Sequence, residues 1–212
     1  MALKAYHYPK VIRFWHIINA LMILTLILTG VSMYYADPEK PFIEFSLAVK
    51  LHNIAGITLS ANYLIFFFAN LFTDNGMHYR IVYKGFFKRI FMQMRYYLYG
   101  MFKGEKKPFP ITEKRKFNPL QHITYVMAMY IGVPLMVITG WGMLFPESTL
   151  KKVFGTSGFL LTDLLHVTVG FFLTIFLLIH IYFCTIGHTP TSHFKSIIDG
   201  YAELDESEEE KA

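Results

Sequence analysis

The sequence predicts an all-α integral membrane protein with four membrane-spanning helices. The chain of 212 residues is 54% apolar and only 17% charged, which is more apolar than an average soluble domain. Asp, Glu, Lys and Arg are absent from four windows, each long enough for the roughly 20 residues that cross a bilayer core. The windows are residues 14–36, 51–73, 117–146 and 164–194. This pattern excludes a soluble enzyme, a nucleic-acid-binding domain and a disordered chain.

Each window predicts one helix, with spans at about residues 12–35, 48–72, 119–144 and 160–186 in a single domain, residues 1–202. The first apolar run is too long for a cleavable signal and lacks a small-residue cleavage site, so we interpret it as a permanent span. The single cysteine, Cys184, excludes an intramolecular disulfide and a Cys-x-x-Cys redox or metal pair.

Basic residues are concentrated on one side of the predicted spans. The connection at residues 73–118 contains eleven Lys and Arg against three acidic residues, and the N-terminal segment adds Lys4, Lys10 and Arg13. The shorter connections, residues 37–50 and 147–163, together contain four basic and five acidic residues. The positive-inside rule therefore predicts a multi-pass protein of the cell inner membrane with both termini and the long connection in the cytoplasm.

The long connection at residues 73–118 is predicted to contain an amphipathic helix. Between Met77 and Phe102, aromatic and aliphatic residues interleave with five basic residues, a composition typical of a helix on an anionic leaflet. We therefore expect contact with membrane lipid or a partner rather than with nucleic acid. The tail at residues 203–212 has six acidic residues and one Lys, and this composition predicts disorder.

Histidines within the spans are the candidate functional residues, because an imidazole in hydrocarbon is unfavourable unless it is paired or bound. Four of the nine histidines qualify: His16, His52, His166 and His180. For any one of them alone, a hydrogen bond to a neighbouring helix is the simpler interpretation. His188 is an alternative to His180, although it lies two turns nearer the membrane surface.

The spacing of these histidines groups them into two pairs. His166 and His180 are 14 residues apart, so they project from almost the same helix face about 21 Å apart along the axis. In the predicted topology, His16 lies at the level of His180 and His52 at the level of His166. A low-spin haem b needs two axial ligands, and two imidazoles that face each other across a bundle supply them. The sequence therefore predicts two stacked haems b, ligated by the pairs His16/His180 and His52/His166.

Glycines one turn after two of these histidines support this interpretation. Gly56 follows His52 by four residues, and Gly170 follows His166 by four. A missing side chain at these positions lets a flat macrocycle approach the helix, although small residues also serve ordinary helix packing in membranes. The glycines at 30, 140 and 142 are compatible with either role.

The first motif and the histidine positions resemble a known family. Arg13-Phe-Trp-His16 resembles the first-helix ligand motif of prokaryotic cytochrome b561-like dihaem subunits, which include formate dehydrogenase gamma, nickel-iron hydrogenase cytochrome b and thiosulfate reductase cytochrome b. His52 lies where the second-helix ligand is expected, and the separation of His166 and His180 matches the fourth-helix pair of the formate dehydrogenase subunit. The resemblance covers nearly the whole chain and implies a four-helix bundle enclosing two b-type haems.

The start of the third span is similar to another segment of that family. Lys116-Phe-Asn118-Pro-Leu-Gln121 resembles the Lys-aromatic-Asn-x-x-Gln segment beside the family's quinone pocket, which implies that Asn118, Gln121 and the edge of His180 contact a quinone. From the residues alone, Asn118 as a helix N-cap before a first-turn Pro explains the Asn-Pro pair as well, but leaves Gln121 unexplained. His122 adjoins this segment as either a proton carrier or a structural residue.

The resemblance implies the membrane-anchor cytochrome b subunit of a respiratory oxidoreductase. The chain would be the electron-transfer and quinone-reactive part of the enzyme, with substrate chemistry on a partner subunit. Since quinone reduction takes two electrons and two protons, menaquinone or ubiquinone is expected near water and the cytoplasmic haem. The outer haem would face an iron-sulfur or other electron-transfer subunit, itself bound to a catalytic subunit. Arg13 is either a partner for a haem propionate or a positive-inside anchor.

Two other classes of function stay open. One is a free-standing dihaem quinone oxidoreductase that passes electrons to a small oxidant such as superoxide without a catalytic partner. The other is a haemless transporter or structural bundle whose histidines bind a transition metal or hydrogen-bond internally. Against the second, the four apolar windows lack the Asp or Glu that accompanies metal transport.

Overall fold

A computed structural model of the chain describes residues 4–112, 115–187 and 189–204. Four of its helices are long and apolar enough to cross a membrane. They run over Lys10–Tyr34, Phe45–Phe72, Pro119–Leu144 and Gly158–Cys184. The first, second and fourth are labelled α1, α2 and α6. Each starts and ends close to a predicted span, so the predicted fold class, an all-α membrane protein with four spans, is confirmed.

The third span is interrupted by a stretch of wider helix. It consists of α4 (Pro119–Met127), a π-helical segment (Ala128–Gly132) and α5 (Val133–Leu144). Pro134 explains the interruption, because it has no N–H to donate to the carbonyl of Tyr130 and its ring displaces that carbonyl. The interruption divides the span into two α-helical halves.

The long connection contains the predicted helix. A 3₁₀ helix (Asp74–Tyr79) comes first, and α3 (Phe86–Arg95) continues through a π-helical segment (Tyr96–Gly100) into a 3₁₀ turn (Met101–Lys103). Gly85 precedes α3 with a φ of 65°, a left-handed conformation that glycine adopts without strain. The predicted amphipathic helix is therefore present.

Short elements complete the fold. A 3₁₀ turn (Pro146–Ser148) and a hairpin of β2 (Lys152–Val153) with β3 (Thr156–Ser157) connect α5 to α6. After α6 comes α7 (Ser192–Asp199), followed by β4 (Tyr201–Glu203), which pairs antiparallel with β1 (Lys4–Tyr6). Glu203, the first residue of the predicted disordered tail, therefore lies in a strand, whereas residues 205–212 lie outside the described part of the chain.

The contacts divide the chain into two compact units. We call Phe14–Phe68 with Ala128–Leu178 the central unit, and Met1–Arg13, Ala69–Met127 and Ile179–Ala212 the terminal unit. The single domain predicted at residues 1–202 stays a prediction. In the central unit, many buried side chains are small or polar, among them Thr29, Ser32, Ala48, Ala55, Asn62 and Thr139, while many large apolar side chains are exposed. This distribution is typical of helices that pack against each other within lipid.

Chain ends meet in the terminal unit. Besides the strand pair β1–β4, the Arg13 guanidinium donates a hydrogen bond to the carbonyl of Ile198 in α7, and the rings of Tyr6 and Tyr201 lie 5.3 Å apart. These contacts attach the start of α1 to the segment that follows α6.

Candidate functional site

His52 on α2 and His166 on α6 face each other in the central unit. Their ring centroids lie 6.3 Å apart with the planes at 62°, and both side chains are half-buried. Because a metal–imidazole bond measures about 2.0 Å, two imidazoles on opposite sides of one ion have centroids roughly 6 Å apart. The observed separation matches this value, and the ligand role of the two rings stays a prediction. We call His52 and His166 the paired-histidine site.

Thr29 on α1 fixes the tautomer of His52. Its hydroxyl donates to the carbonyl of Thr25 at 2.7 Å and lies 2.9 Å from His52 Nδ1. A hydroxyl has only one hydrogen, so Thr29 accepts from His52 and Nδ1 carries the proton. The lone pair is then on Nε2, the form of imidazole that binds a metal.

Thr139 on α5 does the same for His166. Its hydroxyl donates to the carbonyl of Leu135 at 2.6 Å and lies 2.8 Å from His166 Nδ1. By the same argument, His166 donates from Nδ1 and keeps its Nε2 lone pair. Two neighbouring helices thus orient the two imidazoles in the same way, each by one buried threonine.

A glycine follows each of these threonines and leaves space beside the imidazole. A Cβ atom at Gly30 would lie 3.5 Å from His52 Cε1, and a Cβ atom at Gly140 would lie 3.3 Å from His166 Cε1. The dipeptide Thr-Gly therefore occurs at the same place in both halves of the site. Sequence reasoning left these two glycines unassigned and missed both threonines, although the repeated dipeptide was the available signal.

The predicted haem-packing glycines, Gly56 and Gly170, lie against side chains of neighbouring helices. A Cβ atom at Gly56 would lie 3.9 Å from Leu26 Cδ2, and a Cβ atom at Gly170 would lie 3.5 Å from Met136 Cε. Both contacts are of ordinary van der Waals length, so the room next to Gly56 and Gly170 is compatible with a bound macrocycle or with helix packing alone. The haem-packing role stays a prediction.

His16, also in the central unit, lies beside a firm connection between α1 and α2. The neighbouring Trp15 donates to the carbonyl of Asn62 at 3.0 Å, and the Asn62 amide donates to the carbonyl of Trp15 at 3.2 Å. The Trp15 ring also stacks on Phe66 at 4.9 Å between centroids. These contacts hold the backbone at His16 in place.

His180 belongs to the terminal unit, where two different side chains approach its ring. The Tyr125 hydroxyl lies 3.2 Å from Nδ1 and the Cys184 sulfur lies 3.8 Å from Nε2. Since His16 and His180 belong to different units, their pairing stays a prediction. The alternative ligand, His188, lies outside the described residues.

Asn118 and Gln121 form a reciprocal cap at the start of α4. Asn118 Oδ1 accepts from the backbone N–H of Gln121 at 2.9 Å, and Gln121 Oε1 accepts from the backbone N–H of Asn118 at 3.2 Å. This capping arrangement satisfies two backbone donors at the helix start. The N-cap interpretation thus accounts for Gln121 as well, contrary to the expectation from the sequence. Quinone contact by either side chain stays a prediction.

A buried lysine lies next to this cap. Lys116 is only 9% exposed, and its ammonium lies 4.6 Å from the centroid of the Tyr8 ring. Burial lowers the pKa of Lys116 to about 8 and raises the pKa of Tyr8 to about 12, with a smaller contribution from Cys184. The polar groups at this end of the terminal unit therefore include a cation that burial makes easy to deprotonate.

Arg13, the candidate propionate partner, uses one guanidinium nitrogen to bind the Ile198 carbonyl. The propionate role and the anchor role both stay predictions. His122, the candidate proton carrier, has a buried Nε2 atom that makes no hydrogen bond within the described residues. That atom is a proton acceptor or donor without a protein partner in this part of the structure.

The paired-histidine site fits an iron porphyrin. Haem takes its iron ligands from protein side chains such as histidine, and the His52 and His166 rings, 6.3 Å apart, would hold that iron. Within residues 4–112, 115–187 and 189–204, no group of three or more His, Cys, Asp or Glu is arranged to hold a metal ion.

Comparisons with known proteins give the same family as the sequence motifs. The family model described as prokaryotic cytochrome b561 matches residues 7–200. The chain is 39% identical to cytochrome YdhU of Escherichia coli (strain K12) over 198 residues, 93% of this chain and 74% of the relative. It is 26% identical to a Ni/Fe-hydrogenase B-type cytochrome subunit of Rhodobacter capsulatus over 160 residues, 66% of this chain and 55% of that relative. No solved structure matches significantly.

Proposed function

Since the chain belongs to the prokaryotic cytochrome b561 family, we propose that it is the membrane-anchor cytochrome b subunit of a respiratory oxidoreductase. In this proposal, His52 with His166 and His16 with His180 each ligate one haem b. Electrons pass through the two haems between a quinone site on the cytoplasmic side and a partner subunit on the opposite side. Membership of the family supports the coarser statement, a membrane electron-transfer protein with b-type haem.

The observation that carries the proposal is the repeated arrangement of threonine, glycine and histidine at the paired-histidine site. Hydrogen bonds that only position a core histidine do not require both rings to keep the same nitrogen unprotonated. Here Thr29 and Thr139 impose the same tautomer on rings at ligand spacing. In metal sites, a hydrogen bond from the ring nitrogen that does not bind the metal orients the imidazole and raises its basicity.

When bound, haem b supplies one-electron transfer. The protein residues determine where that transfer takes place and how favourable it is. His52 and His166 would hold the iron, and the hydrogen bonds to Thr29 and Thr139 keep both rings from rotating. The helices that carry the two histidines are apolar, and the polarity around a haem affects its reduction potential.

Quinone chemistry is proposed at the end of the bundle where Asn118, Gln121 and His180 lie. The family resemblance and the titratable groups nearby support this placement: Lys116, Tyr8 and Cys184 are within the same unit. Quinone reduction consumes protons, and His122 and Lys116 are the side chains that we propose to deliver them. Menaquinone and ubiquinone both suit such a site.

The partner is proposed to dock on the side that carries residues 37–50 and 147–163. Support comes from the hydrogenase relative, whose name describes it as a cytochrome subunit. We propose an iron-sulfur or other electron-transfer subunit there, bound to a catalytic subunit.

Haem quantification on the purified chain tests the proposal. The wild type should contain two haems b per chain by pyridine haemochromogen, and His52→Ala, His166→Ala and His180→Ala should each contain about one. Pairing follows from double variants: His52→Ala/His166→Ala should keep one haem, whereas His52→Ala/His180→Ala should keep none. His193→Ala, in α7 outside the spans, is the matched control and should keep two. A well-folded wild type without haem contradicts the proposal.

A further inference from the structure

One face of the helical segment at residues 86–103 exposes large apolar side chains. The exposed fractions are 73% for Phe87, 65% for Phe91, 76% for Leu98 and 76% for Phe102, with Met94 at 37%. These residues recur every three or four positions and so form a stripe along the segment. We call these five residues the α3 apolar face. An apolar stripe of this size is unfavourable in water.

The opposite face of the same segment is fixed against the protein. Gln93, Tyr96 and Gly100 are buried, and α3 packs against α4 within the terminal unit. The segment is therefore held in one orientation, with the α3 apolar face directed away from the protein.

Contacts of Tyr97 place this segment at the depth where two spans end. The Tyr97 hydroxyl accepts a hydrogen bond from Asn118, the N-cap of the third span, at 2.7 Å. Its ring lies 4.6 Å from that of Phe183, next to the last residue of the fourth span. Since the ends of spans lie at the membrane surface, the α3 apolar face also lies at that level.

Basic side chains border the α3 apolar face. Residues 80–107 contain eight Lys and Arg against a single acidic residue, Glu105. Glu105 forms a salt bridge with Arg95, whose guanidinium donates to both carboxylate oxygens at 2.7 and 2.8 Å. Lys84, Lys88 and Lys103 are exposed, and the Lys103 ammonium lies 4.7 Å from the centroid of the Tyr99 ring. The surroundings of the apolar stripe therefore carry net positive charge.

We propose that residues 86–103 form an in-plane membrane anchor, with the α3 apolar face inserted among lipid chains and Lys84, Lys88 and Lys103 binding anionic phospholipid headgroups. An amphipathic helix with aromatic residues on one face and lysines beside it binds an anionic leaflet in this way. The depth given by Tyr97 favours lipid over a soluble protein as the occupant, because lipid is already present at the ends of the spans. This proposal does not depend on haem.

Spin-label accessibility measures the insertion directly. The full chain with Cys184→Ser is labelled at Phe91→Cys or Leu98→Cys and reconstituted in nanodiscs of phosphatidylcholine and phosphatidylglycerol. Both labels should collide more with oxygen than with a water-soluble nickel complex, and a label at Lys107→Cys in the polar connection should show the reverse. Aqueous behaviour at positions 91 and 98 overturns the proposal. So does protection that begins only when a partner protein is added, which would make this face a protein-docking surface.

The amount of anionic lipid retained by the protein tests whether Lys84 and Lys88 bind lipid headgroups. Phosphatidylglycerol bound per chain after partial delipidation is counted by mass spectrometry for wild type and for Lys84→Gln/Lys88→Gln. Each lysine removed should weaken binding of anionic lipid roughly fivefold. The double variant Lys151→Gln/Lys152→Gln, which loses the same charge between α5 and α6, should match the wild type. Equal losses in the two double variants overturn the assignment of the lipid site to α3.

Discussion

The paired-histidine site and the surroundings of His180 differ in their construction. His52 and His166 have matching neighbours, a threonine hydroxyl at 2.9 and 2.8 Å from Nδ1 and a glycine beside Cε1. His180 instead has Tyr125 near one ring nitrogen and Cys184 near the other. The first environment suits electron transfer alone, because a threonine hydroxyl does not titrate. The second places a tyrosine hydroxyl and a cysteine thiol beside the ring instead, at the end of the bundle where we propose the quinone site.

Filling the space beside the paired histidines should give the largest effect. Gly140→Val places methyl groups against His166, since a Cβ atom there is already 3.3 Å from Cε1. We expect loss of one of the two haems and no change in the other, measured by haemochromogen per folded chain. Gly142→Val is the matched control, because a Cβ atom at Gly142 meets Thr149 and Thr162 at 3.3 Å instead of a histidine. If both variants lose haem equally, the space beside His166 has no specific role in haem binding.

Removing the threonine hydroxyls should change the potential without removing the haem. In Thr29→Val or Thr139→Val, the histidine Nδ1–H loses its acceptor, and an unsatisfied buried donor costs about 1–3 kcal/mol. A less basic imidazole also favours the reduced iron, so the midpoint potential of one haem should rise. Redox titration and thermal unfolding measure the two effects. Thr25→Val, whose native hydroxyl bonds the Leu21 carbonyl on the same helix, should leave the potential unchanged.

Substitutions of Asn118 at the start of α4 distinguish its role as a helix cap from contact with quinone. Asn118→Ala removes the side-chain acceptor and should cost about 1 kcal/mol of stability, whereas Asn118→Ser keeps a cap. If Asn118 contacts quinone, both variants should slow haem reduction by quinol, because serine lacks the amide. Stopped-flow reduction beside thermal unfolding distinguishes the cases. Normal reduction in Asn118→Ser would show that Asn118 has only the capping role.

The effect expected from Lys116 depends on pH. Burial lowers its pKa to about 8 in the folded protein, whereas an unfolded lysine titrates near 10.4. The unfolded chain therefore binds more protons between these values, and the free energy of unfolding should rise as the pH increases from about 8 to 10.4. Lys116→Met should lack this rise and be more stable than wild type at pH 7. Thermal unfolding at pH 7 and 10 checks it, with the exposed Lys107→Met as control.

The sequence predicts the spans well because a run of about twenty residues without charge is rare in a folded protein except where the chain crosses a bilayer. The common level of His52 and His166 follows from helix geometry. Thr29 and Thr139 escaped sequence reasoning, because which face of a neighbouring helix meets an imidazole depends on helix rotation. The repeated Thr-Gly dipeptide was a signal in the sequence, but it does not show which residues the two threonines contact.

Other features depend on contacts between residues that no local pattern connects. The Asn118–Gln121 cap follows a known spacing, but the family resemblance favoured a quinone role instead. Strands β1 and β4 have only three residues each, too few for a recognisable alternation. Their pairing depends on the return of the chain to its starting side, which only the complete topology provides.

The pairing of β1 with β4 depends on correct membrane insertion of the spans between them. During synthesis, β1 emerges before the four spans described here and β4 after them, so Lys4 and Glu203 can pair only once these helices have been inserted. Only an even number of crossings brings the two strands to the same aqueous compartment. A chain that skipped one of these spans would leave β1 and β4 on opposite sides of the bilayer, with Arg13 unable to reach Ile198.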